Sequence, residues 1–153
     1  MFHLICTINI NTSMIKLFFF SLFLIPVLAV TAQKTGWSKD QLMKPLELAM
    51  NLKSEKDIPI IICVGPGANI PHSIDVGTTK DDTNIEKLKT QLSNLPKNTK
   101  VVVYCGCCPF EYCPNVKPAM DVLKALSFTN YFLLDLPNNL KKDWIDKGYP
   151  TVK

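Results

Sequence analysis

The sequence predicts an α/β fold in which helices cover both faces of a central, mostly parallel sheet of about five strands. Short runs of β-branched and apolar residues, such as Val101-Val102-Val103, alternate with segments that carry an apolar residue every three or four positions. Turn-forming residues separate the two kinds of segment. This alternation is typical of βαβ units, whose crossover connections make neighbouring strands parallel.

The individual elements follow from the same patterns. The predicted strands are residues 58–64, 74–76, 100–104 and 132–134, and the predicted helices are residues 38–52, 84–95, 116–126 and 140–146. Ser38 and Asn115 stand where helix N-caps are expected, and Pro118 is tolerated in the first turn of its helix. Pro45 favours a break or a later start within the first predicted helix.

The N-terminal residues predict a secretory signal peptide. Residues 17–30 are almost entirely apolar, Lys16 places a positive charge before them, and residues 30–32 fit a small-residue cleavage site. The apolar run is shorter than the roughly 20 residues that a membrane-spanning helix needs. We therefore expect residues 1–32 to be removed, with Met14 as an alternative initiator.

The remaining residues, 33–153, are expected to form one domain that is exported to the periplasm or secreted, without a stable membrane span. The net charge is +4, from 17 lysines and 13 acidic residues, and the sequence contains no arginine. No lysine cluster is interleaved with aromatic residues, so a nucleic-acid partner is not expected. The sequence leaves the oligomeric state open.

A strand that ends in a cysteine is the strongest functional signal in the chain. Residues 101–104 deliver Cys105 to the carboxyl edge of the sheet, where open α/β folds place their ligands. The loop that follows leads to a helix N-terminus, and both its amides and the helix dipole favour negative charge. A thiolate there has a lowered pKa and is a better nucleophile. We predict that Cys105 is the catalytic residue; a buried, apolar cysteine is the alternative.

Three motifs resemble those of the rhodanese family and occur in the family's order over residues 58–153. The first is the upstream strand with its Ile-Pro turn, the second is the strand that ends in the persulfide-forming cysteine, and the third is the closing signature. Their residues are Pro59-Ile60-Ile61-Ile62-Cys63-Val64 with Asn69-Ile70-Pro71, then Val102-Val103-Tyr104-Cys105, then Leu133-Leu134-Asp135 with Trp144 and Gly148-Tyr149-Pro150.

The resemblance implies a rhodanese-like three-layer sandwich and sulfurtransferase activity. In that activity Cys105 accepts sulfur from a small sulfane donor as a persulfide and passes it to a thiol acceptor, without a cofactor. From its position, the loop after Cys105 is expected to form the active site and to bind the substrate. The residues predicted for that role are Gly106, Cys107, Cys108, Phe110, Glu111, Tyr112, Cys113, Asn115 and Lys117.

This loop also departs from the family pattern. Residues 106–114 form a longer loop than the family's, and Phe110 stands where its arginine is expected, with Lys117 as the nearest cation. Cys63 replaces the usual aspartate of the upstream strand, and residues 137–139 replace a glycine pair. Without arginine, the phosphatase chemistry of the family's relatives is not expected, because it needs a guanidinium to clamp phosphate.

The additional cysteines leave several functions open. A disulfide from Cys107 or Cys108 to Cys113 would staple the loop beside a sulfur-carrying Cys105. Alternatively, Cys105 and a neighbouring cysteine form a redox pair, with Cys63 as a further candidate for redox or disulfide chemistry. Binding of a soft metal such as Cu(I) or Zn is a third reading, although no residue is assigned as a metal ligand. A catalytically silent binding module is the fourth.

Overall fold

A computed structural model describes residues 36–152, and all structural statements concern that part of the chain. The predicted signal peptide, residues 1–32 with Met14, lies outside the described residues. Across residues 36–152, no helix combines the length and the apolar character that crossing a membrane requires.

The described residues form a single parallel sheet with helices between the strands. The strands are β1 (Leu42–Met43), β2 (Ile60–Cys63), β3 (Ser73–Asp75), β4 (Val101–Tyr104) and β5 (Tyr131–Leu134), and the helices are α1 (Pro45–Ser54), α2 (Asp82–Leu92), α3 (Val116–Ala125) and α4 (Leu140–Asp143). The strand order is β1-β5-β4-β2-β3, and every neighbouring pair is parallel. The predicted sheet is confirmed.

Two apolar layers sandwich this sheet because its side chains alternate between the faces. Val101 and Val103 of β4 pack with residues of α2 and α3, whereas Val102 and Tyr104 pack with residues of α1 and α4. All four residues of β4 are fully buried, as expected for a central strand of a parallel sheet. The predicted three-layer arrangement, with helices on both faces, is therefore confirmed.

The first helix begins at Pro45 and not at Ser38, which confirms the later start that Pro45 favours. The 3-10 turn Lys39–Gln41 has Ser38 at its N-cap, the next two residues form β1, and the helix begins only at Pro45. Proline disfavours helical backbone in the residue before it, and Lys44 is accordingly extended, with a ψ of 137°. The preceding residues can therefore pair with β5, opposite Leu133 and Leu134.

The last predicted helix is shorter than expected. It ends at Asp143, because Trp144 leaves the helical region with φ −127° and ψ −62°, and a 3-10 turn follows at Ile145–Lys147. The Trp144 side chain is fully buried and its indole N–H donates to the Pro150 carbonyl oxygen at 2.7 Å. Burial of this indole therefore accompanies the turn in the backbone that ends the helix.

Candidate active site

Cys105 leaves the sheet directly after β4, at the carboxyl edge shared by all the strands. Its side chain is 2% exposed and packs on the face covered by α2 and α3. The chain after β2 passes directly over it, since a Cβ atom added to Gly65 would lie 2.5 Å from the Cys105 Sγ. Gly65 therefore leaves the space that the sulfur occupies. This role of Gly65 was not predicted from the sequence; the available signal was a glycine just after the neighbouring strand.

Hydrogen-bond donors surround the Cys105 sulfur. The Cys113 thiol contributes most, the backbone N–H and the thiol of Cys107 also donate, and the Asn115 Nδ2 approaches to 3.7 Å. These bonds outweigh the burial of the sulfur and lower the pKa of Cys105 from 9.0 to about 5. The predicted nucleophile is therefore ionised at neutral pH.

Three sulfurs converge at this point. The Sγ atoms of Cys105, Cys107 and Cys113 all lie within 4.8 Å of one another, and the first two are 3.4 Å apart. The bond to the Cys105 thiolate raises the pKa of Cys113 strongly, and desolvation together with the neighbouring sulfurs raises the pKa of Cys107 to about 12. One thiolate is thus held between two protonated thiols, and all five described cysteines are free.

Asn115 connects the sulfur to a separate loop. It occupies the N-cap position of α3 as predicted, but its side chain makes no capping hydrogen bond. Its Oδ1 instead accepts from the Lys80 N–H at 3.1 Å, which leaves the Nδ2 facing Cys105, and its carbonyl oxygen accepts from the Thr79 hydroxyl. Asn115 and Thr79 are both buried. Thr79 belongs to no local motif and was not predicted from the sequence.

The other predicted loop residues have varied surroundings. Phe110 is buried in the core, and its N–H donates to the Leu136 carbonyl oxygen at 3.4 Å, so it anchors the loop. Glu111 is exposed and Tyr112 is 80% exposed. Lys117 forms an exposed ion pair with Asp121 at 2.6 Å. Of these side chains, the described contacts bring none to the Cys105 sulfur.

Gly106 and Cys108 flank the sulfur cluster. The Gly106 carbonyl oxygen accepts from the Leu140 N–H at 3.1 Å, and a Cβ atom on Gly106 would lie 3.0 Å from that of Leu140. Glycine therefore lets the loop approach the start of α4. The Cys108 Sγ lies 3.3 Å from that of Cys107, but Cys108 does not belong to the group of three mutually close sulfurs.

Cys63 is not brought to this cluster. It is the last residue of β2, pairs in register with Tyr104, and packs on the face covered by α1 and α4. Cys105 is one residue beyond Tyr104 and packs on the opposite face. Among the predicted site residues, the structure therefore groups Cys105, Cys107, Cys113 and Asn115.

Comparisons with known proteins agree with this architecture. No protein-family model and no curated protein sequence matches the chain. Among solved structures, the rhodanese-like domain of the Alr3790 protein of Anabaena sp. is 19% identical with a TM-score of 0.52, covering 73% of this chain and 78% of that chain.

Two further structures show the same similarity. A single-domain sulfurtransferase of Saccharomyces cerevisiae is 11% identical with a TM-score of 0.50, covering 71% of this chain and 90% of its own. A protein of Bacillus halodurans is 16% identical with a TM-score of 0.54, covering 72% and 74%. At these identities the similarity is one of fold. The chain therefore has the rhodanese-like fold, with a cysteine-rich loop after its central strand.

Proposed function

We propose that the protein is a sulfurtransferase in which Cys105 carries the transferred sulfur. The observation that carries this proposal is the Cys105 sulfur itself, which lies at the carboxyl end of β4 among hydrogen-bond donors. Such donors favour a thiolate before the reaction and a persulfide anion after it. The similarity in fold to a single-domain sulfurtransferase supports the general class of reaction.

The chemistry consists of two displacements at sulfur. The Cys105 thiolate attacks the outer sulfur of a sulfane donor such as thiosulfate. The new Sγ–S bond forms as the S–S bond of the donor breaks, and sulfite leaves with the electron pair. An acceptor thiolate then attacks the outer sulfur of the Cys105 persulfide, and Cys105 departs as a thiolate. No net oxidation of the protein occurs.

Access to Cys105 requires the loop to move. Cys105 is buried, whereas Cys107 is exposed and its sulfur lies 3.4 Å from the Cys105 Sγ. We infer that the Cys107 side chain stands at the entrance and that a donor displaces it. The loop 106–114 contains no α-helix or β-strand, only the 3-10 turn Phe110–Tyr112, which is compatible with such a movement.

A mass measurement tests the proposal. Reduced, chelator-treated protein is incubated with thiosulfate and mapped by peptide mass spectrometry, and we expect one additional sulfur atom on the peptide that contains Cys105. Cys105→Ser should gain none. Cys63→Ser is the matched control and should gain as much as the wild type, because Cys63 packs on the other face of the sheet. Absence of the gain, while iodoacetamide still labels Cys105, would exclude sulfur transfer.

Thiol redox exchange is a second candidate, favoured by the 3.4 Å separation of the Cys105 and Cys107 sulfurs. In that case one thiolate attacks a disulfide substrate and the other resolves the mixed disulfide. The expected result is reduction of insulin disulfides without a sulfane donor, lost in both Cys105→Ser and Cys107→Ser. No turnover of insulin by the wild type would rule this function out.

We also propose that residues 1–32 direct export to the periplasm or to the extracellular medium and are then removed. The apolar run behind Lys16 and the small residues at 30–32 support this proposal. N-terminal sequencing of the exported protein should begin at Gln33. Recovery of the mature protein with its leader intact would contradict it.

A further inference from the structure

We propose that Cys105, Cys107 and Cys113 form a three-coordinate binding site for Cu(I). The three Sγ atoms are already gathered, since all lie within 4.8 Å of one another and one pair is 3.4 Å apart. Metal–thiolate bonds of about 2.3 Å, arranged as a flat triangle, place the sulfurs about 4 Å apart. An ion at the centre of the group therefore requires only small side-chain adjustments.

The donor set selects the kind of metal. The group consists of three cysteines and contains no histidine or carboxylate. Soft thiolate ligands favour Cu(I) and zinc over hard cations such as Mg²⁺ and Ca²⁺. Structural zinc sites are nearly always closed by four protein ligands, whereas this group supplies three. Within residues 36–152 the group offers three sulfurs, which fit Cu(I) better than a structural zinc ion.

The surroundings of the sulfurs resemble the outer shell that metal sites need. The Asn115 Nδ2 donates to the Cys105 sulfur at 3.7 Å. Asn115 is itself held by the Lys80 N–H and begins the ten-residue helix α3. These dipoles offset the negative charge of the thiolates and fix their directions.

The exposure of the ligands provides an entry path. Cys107 is exposed, whereas Cys113 is 6% exposed and Cys105 lies deeper. An incoming ion meets Cys107 first and is then enclosed by the two buried sulfurs. Binding transfers no electron: three Cu–S bonds form, and each thiol that becomes a ligand loses its proton to water.

This site shares Cys105 with the sulfurtransferase reaction but does not depend on it. A sulfur that ligates Cu(I) shares an electron pair with the metal and is a much weaker nucleophile toward a sulfane donor. The metal would therefore slow persulfide formation, and its removal would restore the rate. Metal binding is measured without any sulfur donor, so failure of the binding site and failure of the sulfurtransferase proposal are separate results.

The test is an anaerobic titration of the reduced protein with Cu(I) in competition with the chromogenic chelator bicinchoninate. We expect one equivalent to bind, with ultraviolet absorption from thiolate-to-copper charge transfer. Cys107→Ser and Cys113→Ser should each weaken binding more than roughly 100-fold, beyond the usual effect of losing an outer-shell contact. Cys107 is exposed, so its substitution leaves the core intact.

Two control variants make the outcome decisive. Cys63→Ser removes a buried thiol outside the cluster, and Cys108→Ser removes the sulfur next to Cys107 that is not part of the group. Both should bind Cu(I) as tightly as the wild type. The proposal is overturned if Cys107→Ser and Cys113→Ser bind like the wild type, or if either control loses as much affinity as they do. It is equally overturned if the wild type takes no Cu(I) from the chelator.

Discussion

Cys63 and Cys105 lie at the same edge of the sheet, yet their surroundings give them opposite chemistry. Cys63 ends β2, Cys105 follows β4, and the two strands are hydrogen-bonded neighbours. The Cys63 thiol faces two acceptors, the carbonyl oxygens of Gly65 and Gly67, each at 3.6 Å. Burial raises the pKa of Cys63, whereas the donors around Cys105 lower its pKa to about 5.

The difference shows that position at the sheet edge does not by itself make a cysteine reactive. Both sulfurs are buried, so desolvation disfavours both thiolates. At Cys63 burial outweighs the hydrogen bonds from Gly65 and Tyr104 that lower the pKa, whereas at Cys105 the hydrogen bonds outweigh burial. The two environments arise because the pleat of the sheet sends Cys63 to the side of α1 and α4 and Cys105 to the side of α2 and α3.

The largest difference between Cys63 and Cys105 is expected in the rate at which each thiol is alkylated as a function of pH. At pH 7 a thiol with a pKa near 9 is about 1% ionised and one with a pKa near 5 is about 99% ionised, a difference of roughly 100-fold in thiolate. Iodoacetamide should therefore modify Cys105 far faster than Cys63 in chelator-treated protein, as followed by peptide mass spectrometry.

The pH dependence of the labelling rate shows in which direction each pKa is shifted. Because the pKa of Cys105 is lowered, its labelling rate should stay constant from neutral pH downward and fall only as the pH drops through about 5. The labelling rate of Cys63 should instead rise about tenfold per pH unit up to at least its ordinary value of 9.0, because burial raises its pKa. A Cys105 profile that rises together with that of Cys63 would remove the distinction between the two sites.

Gly65→Ala tests the space around the Cys105 sulfur. The added Cβ atom would lie 2.5 Å from the Sγ, so the loop or the sulfur must shift. We expect persulfide formation to slow by about 10-fold and the free energy of unfolding to fall by about 1–3 kcal/mol, as is usual for overpacking. Urea unfolding and the mass assay measure the two effects.

A double-mutant cycle provides the control for this variant. Cys105→Ala removes the sulfur that the new methyl group meets, so Gly65→Ala should cost less stability in that background. Equal costs in the two backgrounds would show that Gly65 is needed for its backbone alone.

Asn115→Ala tests how much the Asn115 side chain lowers the pKa of Cys105. The variant loses the Nδ2 that faces Cys105 and the Oδ1 that accepts from Lys80. The pKa of Cys105 should move toward its ordinary value, and stability should fall by about 1 kcal/mol because the part-buried bond from the Lys80 N–H is lost. The labelling profile and urea unfolding report the two changes.

Asn130→Ala is the matched control for this substitution. Asn130 also donates from its amide, to the Asn98 carbonyl oxygen, but that bond is exposed and far from the loop in sequence. It should leave the labelling profile of Cys105 unchanged. A profile equally unchanged in Asn115→Ala would show that the Cys113 and Cys107 donors suffice.

Tyr104→Phe should have the smallest effect at the site. The Tyr104 hydroxyl accepts from the backbone N–H groups of Asn69 and Ile70 at 3.2 and 3.4 Å, on the side of the sheet that holds Cys63. Its loss should lower stability by about 1–3 kcal/mol in urea unfolding and leave the Cys105 profile as it is. A shifted profile would mean that the two faces of the sheet are coupled.

Much of the fold could be predicted from local patterns. The run Val101-Val102-Val103 identifies β4, and the spacing of Ile85, Leu88 and Leu92 identifies α2, because each pattern repeats with the period of its element. Strand β1 could not be predicted, since two residues carry no period. It exists because Leu42 and Met43 pair with β5, far along the chain.

The candidate active site, like the fold, contains residues that local patterns predict and residues that they do not. Cys105 could be identified because the strand before it and the helix after it are both local signals. Gly65, Thr79 and the bonds of Asn115 could not, since each depends on segments that meet only in the folded chain. Asn115 illustrates the limit. Its position at the start of α3 was predicted, but its side chain hydrogen-bonds to the Lys80 N–H and the Cys105 sulfur and does not cap the helix.

By itself, the sequence determined the order of the strands and helices except for β1 and placed Cys105 at the end of a central strand, because both depend on patterns within a few residues. Only the tertiary structure decided which groups surround that sulfur. The register of β2 against β4 and the pleat of the sheet remove Cys63 from the site, and the packing of the loop brings Cys107, Cys113 and Asn115 to it. Ionisation of a buried thiol depends on those neighbours, so its chemistry follows from the fold and could not be obtained from the motif alone.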